Sequence, residues 1–153
     1  DIEDGNIKAR ILLEYILKLS REKIVSNPNI EVSDNNVESY LNKINDIKNG
    51  MPIQYITNKQ EFMKLNFYVD KNVLIPQPDT EILVEKAIEI CNNHGNDIKI
   101  LDLCTGSGAI GISIAKNIKN AKVYATDIKN TVIDIAKQNA KQNNVCGYRR
   151  YHV

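Results

Sequence analysis

Two aspartates bracket a glycine-rich turn, and these are the residues of the chain whose types and spacing best suit chemistry. The stretch reads Leu101-Asp102-Leu103-Cys104-Thr105-Gly106-Ser107-Gly108-Ala109-Ile110-Gly111, and Asp127 follows at the end of the next apolar run. Gly106 and Gly108 remove side chains where a backbone must turn sharply and approach a ligand. A helix opening after them presents its N-terminal N–H groups to that ligand. The pattern Gly106-x-Gly108-x-x-Gly111 also matches the dinucleotide fingerprint, which is weak by itself. Asp102 sharpens it. A carboxylate just ahead of the loop repels a pyrophosphate but accepts hydrogen bonds from an amino-acid ammonium group. S-adenosylmethionine carries such a group and NAD does not. Asp127 is placed to take both ribose hydroxyls of a nucleoside, which either ligand permits. The alternatives are a nicotinamide oxidoreductase, or a plain strand-to-helix turn with two solvated acids.

These residues need elements to hold them. A predicted strand at 98–103, the loop, a helix at 109–119, a strand at 122–126 and a helix at about 131–143 form a βαβα alternation, hence a parallel sheet with crossover helices. Pro78 suits the first turn of the helix before it, with Asp79 and Glu81 near the positive end of its dipole and Gly95 as its stop. Further upstream, Ile7, Ile11, Tyr15, Ile16 and Leu19 recur at helical spacing over 7–25, with Asp4 or Asn6 as cap and Asn27-Pro28 as terminator. Val37, Tyr40, Leu41, Ile44 and Ile47 mark a second helix over 34–49, with Gly50 beyond its end. Residues 53–56 and 65–69 read as short strands of a hairpin closed by Pro76 and Pro78. The expected organisation is a helical domain over 1–50, a β-hairpin linker over 51–75 and the start of an α/β, Rossmann-like domain over 76–153.

Composition narrows the function classes. The chain has 153 residues, 20 basic and 19 acidic, for a net charge of +1. No global basic field is available to hold nucleic acid or an anionic membrane. The longest apolar stretch, 11–19, is interrupted by Glu14 and Lys18 and is too short to span a bilayer. Cys91, Cys104 and Cys146 form no CxxC pair, and His94 and His152 are the only histidines, so neither a metal site nor a disulfide framework is expected. A reduced, cytoplasmic setting fits.

Three ordered stretches carry a family resemblance. Asp102 to Gly111 resembles the cofactor loop of the release-factor glutamine methyltransferases, the N5-glutamine methyltransferases of the HemK/PrmC type. Val73-Leu74-Ile75-Pro76-Gln77-Pro78-Asp79-Thr80-Glu81 is similar to the signature ahead of that family's methyltransferase fold. Gly50-Met51-Pro52-Ile53-Gln54-Tyr55-Ile56, with Glu61-Phe62, resembles its linker hairpin. The helical start, with Ala9-Arg10 and Ser20-Arg21-Glu22, fits its substrate-facing domain. The resemblance runs from about residue 8 to about residue 145. It implies a transfer of methyl from S-adenosylmethionine to the glutamine amide of a Gly-Gly-Gln motif in a class 1 peptide-chain release factor. Carried over position by position, Cys104, Thr105, Gly106, Ser107 and Gly108 would cradle the cofactor and Asp127 would hold its ribose, with Asp102 alongside. Three positions depart from the pattern: Gln77 stands where arginine is usual, Asp79 where glutamate is usual, and Asn58 where glycine is common.

The family's Asn-Pro-Pro-Tyr catalytic loop is not found. The only Asn-Pro, Asn27-Pro28, is a helix stop, so no catalytic residue is assigned. Residues 146–153 do not resemble the family's next strand, and a frayed or foreign end is expected there in preference to a basic-aromatic patch at Tyr148 to Tyr151. Together these suggest a truncated chain whose sheet keeps an exposed edge, with self-association as one result. Two other functions stay open: a non-catalytic module that docks a release factor, and a methyltransferase acting on another amino nitrogen such as a nucleic-acid adenine.

Overall fold

The computed structural model describes residues 4–94, 98–119, 121–145 and 151–152. The chain falls into two compact units, 1–57 and 58–153.

The first unit is helical: α1 (Gly5–Leu17), α2 (Arg21–Val25), α3 (Asp34–Lys48) and α4 (Ile53–Thr57). Leu12, Ile47, Ile53 and Ile56 form its core, with Ile11, Ile16, Tyr40 and Ile44 packed around them. The apolar spacing over 7–25 predicts one helix, and the structure breaks it into two. Lys18 adopts a left-handed conformation, φ 54°, which ends α1; nothing in its side chain announces this. The end of α3 follows its sequence closely. Gly50, at φ 90°, leaves the helix left-handed, its N–H meets the Ile47 carbonyl at 3.0 Å, and the Met51 N–H reaches Asp46 O at 3.0 Å. That is the Schellman arrangement, which glycine adopts without a Cβ penalty.

Residues 53–56 are expected as a strand and form helix α4 instead. Pro52 pre-sets the backbone for a helical turn, and its carbonyl accepts the Tyr55 N–H at 3.1 Å. Ile53 and Ile56, three apart, then face one side and are both buried. A strand would have paired Ile53 with Tyr55 instead.

The second unit begins with an antiparallel hairpin, β1 (Gln60–Phe62) and β2 (Leu65–Phe67), with Phe62 opposite Leu65. Phe62 and Phe67 are fully buried and meet edge to face at 6.2 Å. After α5 (Asp79–Asn93), the strands β3 (Lys99–Leu103) and β4 (Lys122–Thr126) pair in parallel, Lys99 opposite Lys122 through Leu103 opposite Thr126. They are connected through α6 (Ala109–Asn117), and α7 (Asn130–Gln142) follows. This is the expected α/β, Rossmann-like alternation. The expected stop of α5 at Gly95 lies outside the described residues.

At the chain end Tyr151–His152 forms a third parallel strand, β5, beside β4, with Val123 opposite Tyr151, where a frayed end is one of the two expectations; such pairing asks only for extended backbone and does not bear on a foreign origin. The Tyr148 to Arg150 part of the basic-aromatic stretch lies outside the described residues. The sheet is two-faced. Val123 and Ala125 are buried, whereas Leu101, Leu103 and Tyr124 are 60%, 67% and 41% exposed. Among the described residues β3 pairs only with β4, and Leu101, Leu103 and Tyr124 share the exposed face of the sheet.

Candidate functional site

Alternation along β3 sets the site. Leu101 and Leu103 point to the open face, so Asp102 points to the other, toward the start of α6. There its Oδ2 accepts the Thr105 hydroxyl at 2.7 Å and the Gly111 N–H at 3.0 Å. Gly111 is the third residue of α6, and the helix's N-cap, Gly108, has no side chain to offer. Asp102 therefore serves as the cap from a neighbouring strand, satisfying one of the orphan N–H groups and facing the positive end of the helix. Its Oδ1 carries no hydrogen bond among the described residues.

The loop between is held in an unusual conformation. Cys104, Gly106 and Gly108 all have positive φ, at 57°, 57° and 82°. For the two glycines this is easy; for Cys104 it costs about 1–2 kcal/mol. The Thr105 N–H bonds the Thr126 carbonyl at 2.9 Å, and the Gly108 N–H bonds Thr105 O at 2.9 Å. A Cβ built on Gly106 would meet no atom within 4 Å, so this part of the loop borders open space. Thr105 and Ser107 are buried, while Cys104 is exposed and reduced.

Asp127 closes the other side. Its Oδ2 accepts the Gly106 N–H at 3.0 Å and its Oδ1 the Ile128 N–H at 2.8 Å. All seven candidate residues, Asp102, Cys104, Thr105, Gly106, Ser107, Gly108 and Asp127, thus lie in one strand-end cluster. The electrostatics are those of two neighbouring acids. Burial pushes the Asp102 carboxyl above its ordinary value; the Thr105 hydroxyl and Gly111 N–H act against this, and the Asp127 charge adds to the rise.

Chemically, the cluster does not suit a pyrophosphate, because the position a phosphate would take at the start of α6 already holds a carboxylate. It suits a cationic amino group beside Asp102 and a diol beside Asp127, since each carboxylate oxygen can accept more than one hydrogen bond. No cluster of three or more His, Cys, Asp or Glu able to hold a metal exists among the described residues. No helix among them is long and apolar enough to cross a membrane.

The departures at Gln77 and Asn58 have local explanations. The Gln77 amide donates to the carbonyl two residues back, Ile75 O, at 3.0 Å and lies exposed. Asn58 has φ 52°, the region in which glycine is at ease and asparagine tolerable; its Nδ2 also bonds Val69 O at 3.0 Å.

Two supporting residues are not evident from the loop motif. Glu81, in the first turn of α5, accepts the Met63 N–H at 2.6 Å. Met63 and Lys64 are the two central residues of the hairpin turn, both left-handed at φ 51° and 60°, a geometry that normally calls for Asn-Gly. Glu81→Ala should therefore lower the stability of this unit by about 1.5–3 kcal/mol, the scale for a hydrogen bond to a charged group. A denaturant melt checks this, and an unchanged midpoint would show that the turn holds itself. The second residue is Asn139 on α7, wholly buried and bonded to Ser107 O of the loop at 2.8 Å. The sequence signal for it is a polar residue within the apolar stripe Val132, Ile135, Ala136 and Ala140.

Residues 1–57 match the family model described as the PrmC N-terminal domain, and residues 76–150 match the model described as lysine methyltransferase. A release factor glutamine methyltransferase of Clostridium acetobutylicum is 47% identical over 137 residues, which is 90% of this chain and 48% of the relative. One from Clostridium botulinum is 42% identical over 139 residues, 91% of this chain and 49% of the relative. The chain thus spans about half the length of the curated relatives it matches. Among solved structures, a tRNA (uracil-54, C5)-methyltransferase of Pyrococcus abyssi in complex with S-adenosyl-L-homocysteine overlays 62% of this chain and 23% of its own, with TM-score 0.47 and 24% identity.

Proposed function

Because this chain belongs to the release factor glutamine methyltransferase family, we propose that its second unit binds S-adenosylmethionine as the methyl donor for a glutamine amide. The observation that carries this is the placing of Asp102 at the start of α6, where it excludes a phosphate and keeps one oxygen for an ammonium group. Asp102 would hold the amino-acid end of the donor. The backbone from Cys104 to Gly108 would line it, with Gly106 bordering the open space, and Asp127 would accept the ribose hydroxyls. Bound there, the donor supplies an electrophilic methyl group on sulfur. Such a transfer needs no covalent enzyme intermediate, so exposed Cys104 acts as a loop residue and not a nucleophile.

The acceptor side is assigned by family. The substrate would be the Gly-Gly-Gln glutamine of a class 1 release factor, with the helical residues 1–50 facing it. An amide nitrogen is a poor nucleophile, so its N–H groups must be held in line with the methyl group; no residue of this chain is assigned that task. The test offers a class 1 release factor and labelled S-adenosylmethionine to the chain, alone and extended to the length of its relatives. The expected result is a complex with the release factor in both cases, and label on the Gly-Gly-Gln glutamine with the extended form. Label on lysine or on adenine instead would overturn the acceptor assignment.

A further inference from the structure

We infer that Asn139 is a positioning residue that locks the cofactor loop to the hairpin, so that the hairpin is part of the binding machinery. The inference rests on the proposed cofactor site. It starts from a single side chain whose carbonyl and both N–H groups are all engaged. Asn139 is wholly buried. Its Oδ1 accepts the Tyr68 N–H at 2.6 Å, and its Nδ2 donates to Tyr68 O at 2.9 Å and to Ser107 O at 2.8 Å. A primary amide has two N–H donors and one carbonyl acceptor; here both donors and the acceptor are engaged. Two of the three bonds mimic a strand partner for Tyr68, just past β2. The third fixes the carbonyl between Gly106 and Gly108, the two left-handed glycines of the loop.

The neighbours separate this role from simple anchoring. Asn143, which caps the end of α7, bonds the hairpin at Asn66 O (2.9 Å) and the Asn139 carbonyl (3.0 Å), and Gln142 reaches Asn66 O at 3.0 Å. Neither has a bond to the loop. The side chains of Asn143 and Gln142 therefore tie the hairpin to the end of α7, whereas Asn139 ties the hairpin to the loop. Any shift of Tyr68 is passed to Ser107, and ordering of the loop is passed back to Tyr68. The loop's bonds to Asp102, Thr126 and Asp127 tie it to the strand ends, and the bond from Asn139 adds a tie to the hairpin that these do not supply.

The test compares the unchanged chain with Asn139→Ala and Asn143→Ala by titration with S-adenosylhomocysteine and by amide hydrogen exchange without ligand. Asn139→Ala should bind about tenfold more weakly, the effect of losing one loop hydrogen bond, and exchange faster across 105–111. Asn143→Ala, which keeps the bond from Asn139 to Ser107, should lose stability with a smaller loss of affinity and a smaller rise in exchange across 105–111 than Asn139→Ala. Equal loss of affinity in both variants, or unchanged exchange across 105–111 in Asn139→Ala, would overturn the inference. If the unchanged chain does not bind the ligand, the proposed cofactor site fails, and the exchange comparison still decides whether Asn139 holds the loop. If Asn139→Ala does not fold, the unchanged chain decides: ligand should slow exchange of the Tyr68 N–H, and no change there would refute the coupling.

Discussion

Asp102→Asn should bind S-adenosylhomocysteine more than 100-fold more weakly, about 3 kcal/mol, while remaining at least as stable as the parent at neutral pH. The loss of affinity has two parts. A charge-assisted hydrogen bond to the ligand's ammonium is removed, worth about 1.5–3 kcal/mol, and the new amide presents N–H donors to a cation. The stability follows from the other oxygen. An asparagine carbonyl still accepts from the Thr105 hydroxyl and the Gly111 N–H, so the cap on α6 survives, while the cost of burying a charge disappears.

The pH dependence distinguishes these two effects. Burial raises the Asp102 carboxyl in the folded protein above its unfolded value. The folded state then binds the proton more tightly, so the stability Asp102 contributes is fully present at acid pH, below the unfolded value. It is lost as pH rises through the raised folded value. Asp102→Asn should flatten that part of the stability profile. Ligand binding by the parent runs the opposite way, because the carboxylate is the form that attracts an ammonium, and it should weaken as pH falls through the same raised value. Chemical melts and titrations over this range check both signs. Loss of stability together with affinity at neutral pH would make Asp102 a cap and nothing more.

Asp127→Ala should weaken the same ligand by about 1–3 kcal/mol, roughly 5- to 150-fold. Part of this is indirect, since the Gly106 N–H loses its acceptor at Oδ2; Ile128 is almost fully exposed, and its N–H regains water at little cost. A ligand lacking the ribose 2′-hydroxyl separates the two parts. If Asp127 accepts that hydroxyl, deleting both partners costs less than the sum of the single deletions. Strict additivity would confine Asp127 to holding the loop.

Much of this site was legible because its chemistry is local. Asp102, the glycines and Asp127 lie at positions where a strand end, a turn and the next strand end must come together once the βαβ unit is recognised. The bond from Asp102 to Gly111 was not legible, because a helix cap is normally sought at the residue before the helix and not on the preceding strand. The turn at Met63-Lys64 carries no Asn-Gly signal, and Glu81, which steadies it, lies eighteen residues further along. Asn139 reads as a flaw in an apolar stripe until the hairpin is seen beside it. In the helical unit, Pro52 with Ile53 and Ile56 gives too short a pattern to tell a turn of helix from a strand, and the residue type at Lys18 gives no sign of the left-handed break there. The tail has an unfamiliar sequence, yet parallel pairing to β4 asks only for extended backbone at Tyr151 and His152.

Isothermal titration of the 153-residue chain with S-adenosylhomocysteine, alongside NAD, tests the central claim most directly. The account predicts saturable binding of S-adenosylhomocysteine, lost in Asp102→Asn and weakened in Asp127→Ala, with no binding of NAD. A folded chain that binds NAD, or that binds neither ligand, would contradict it.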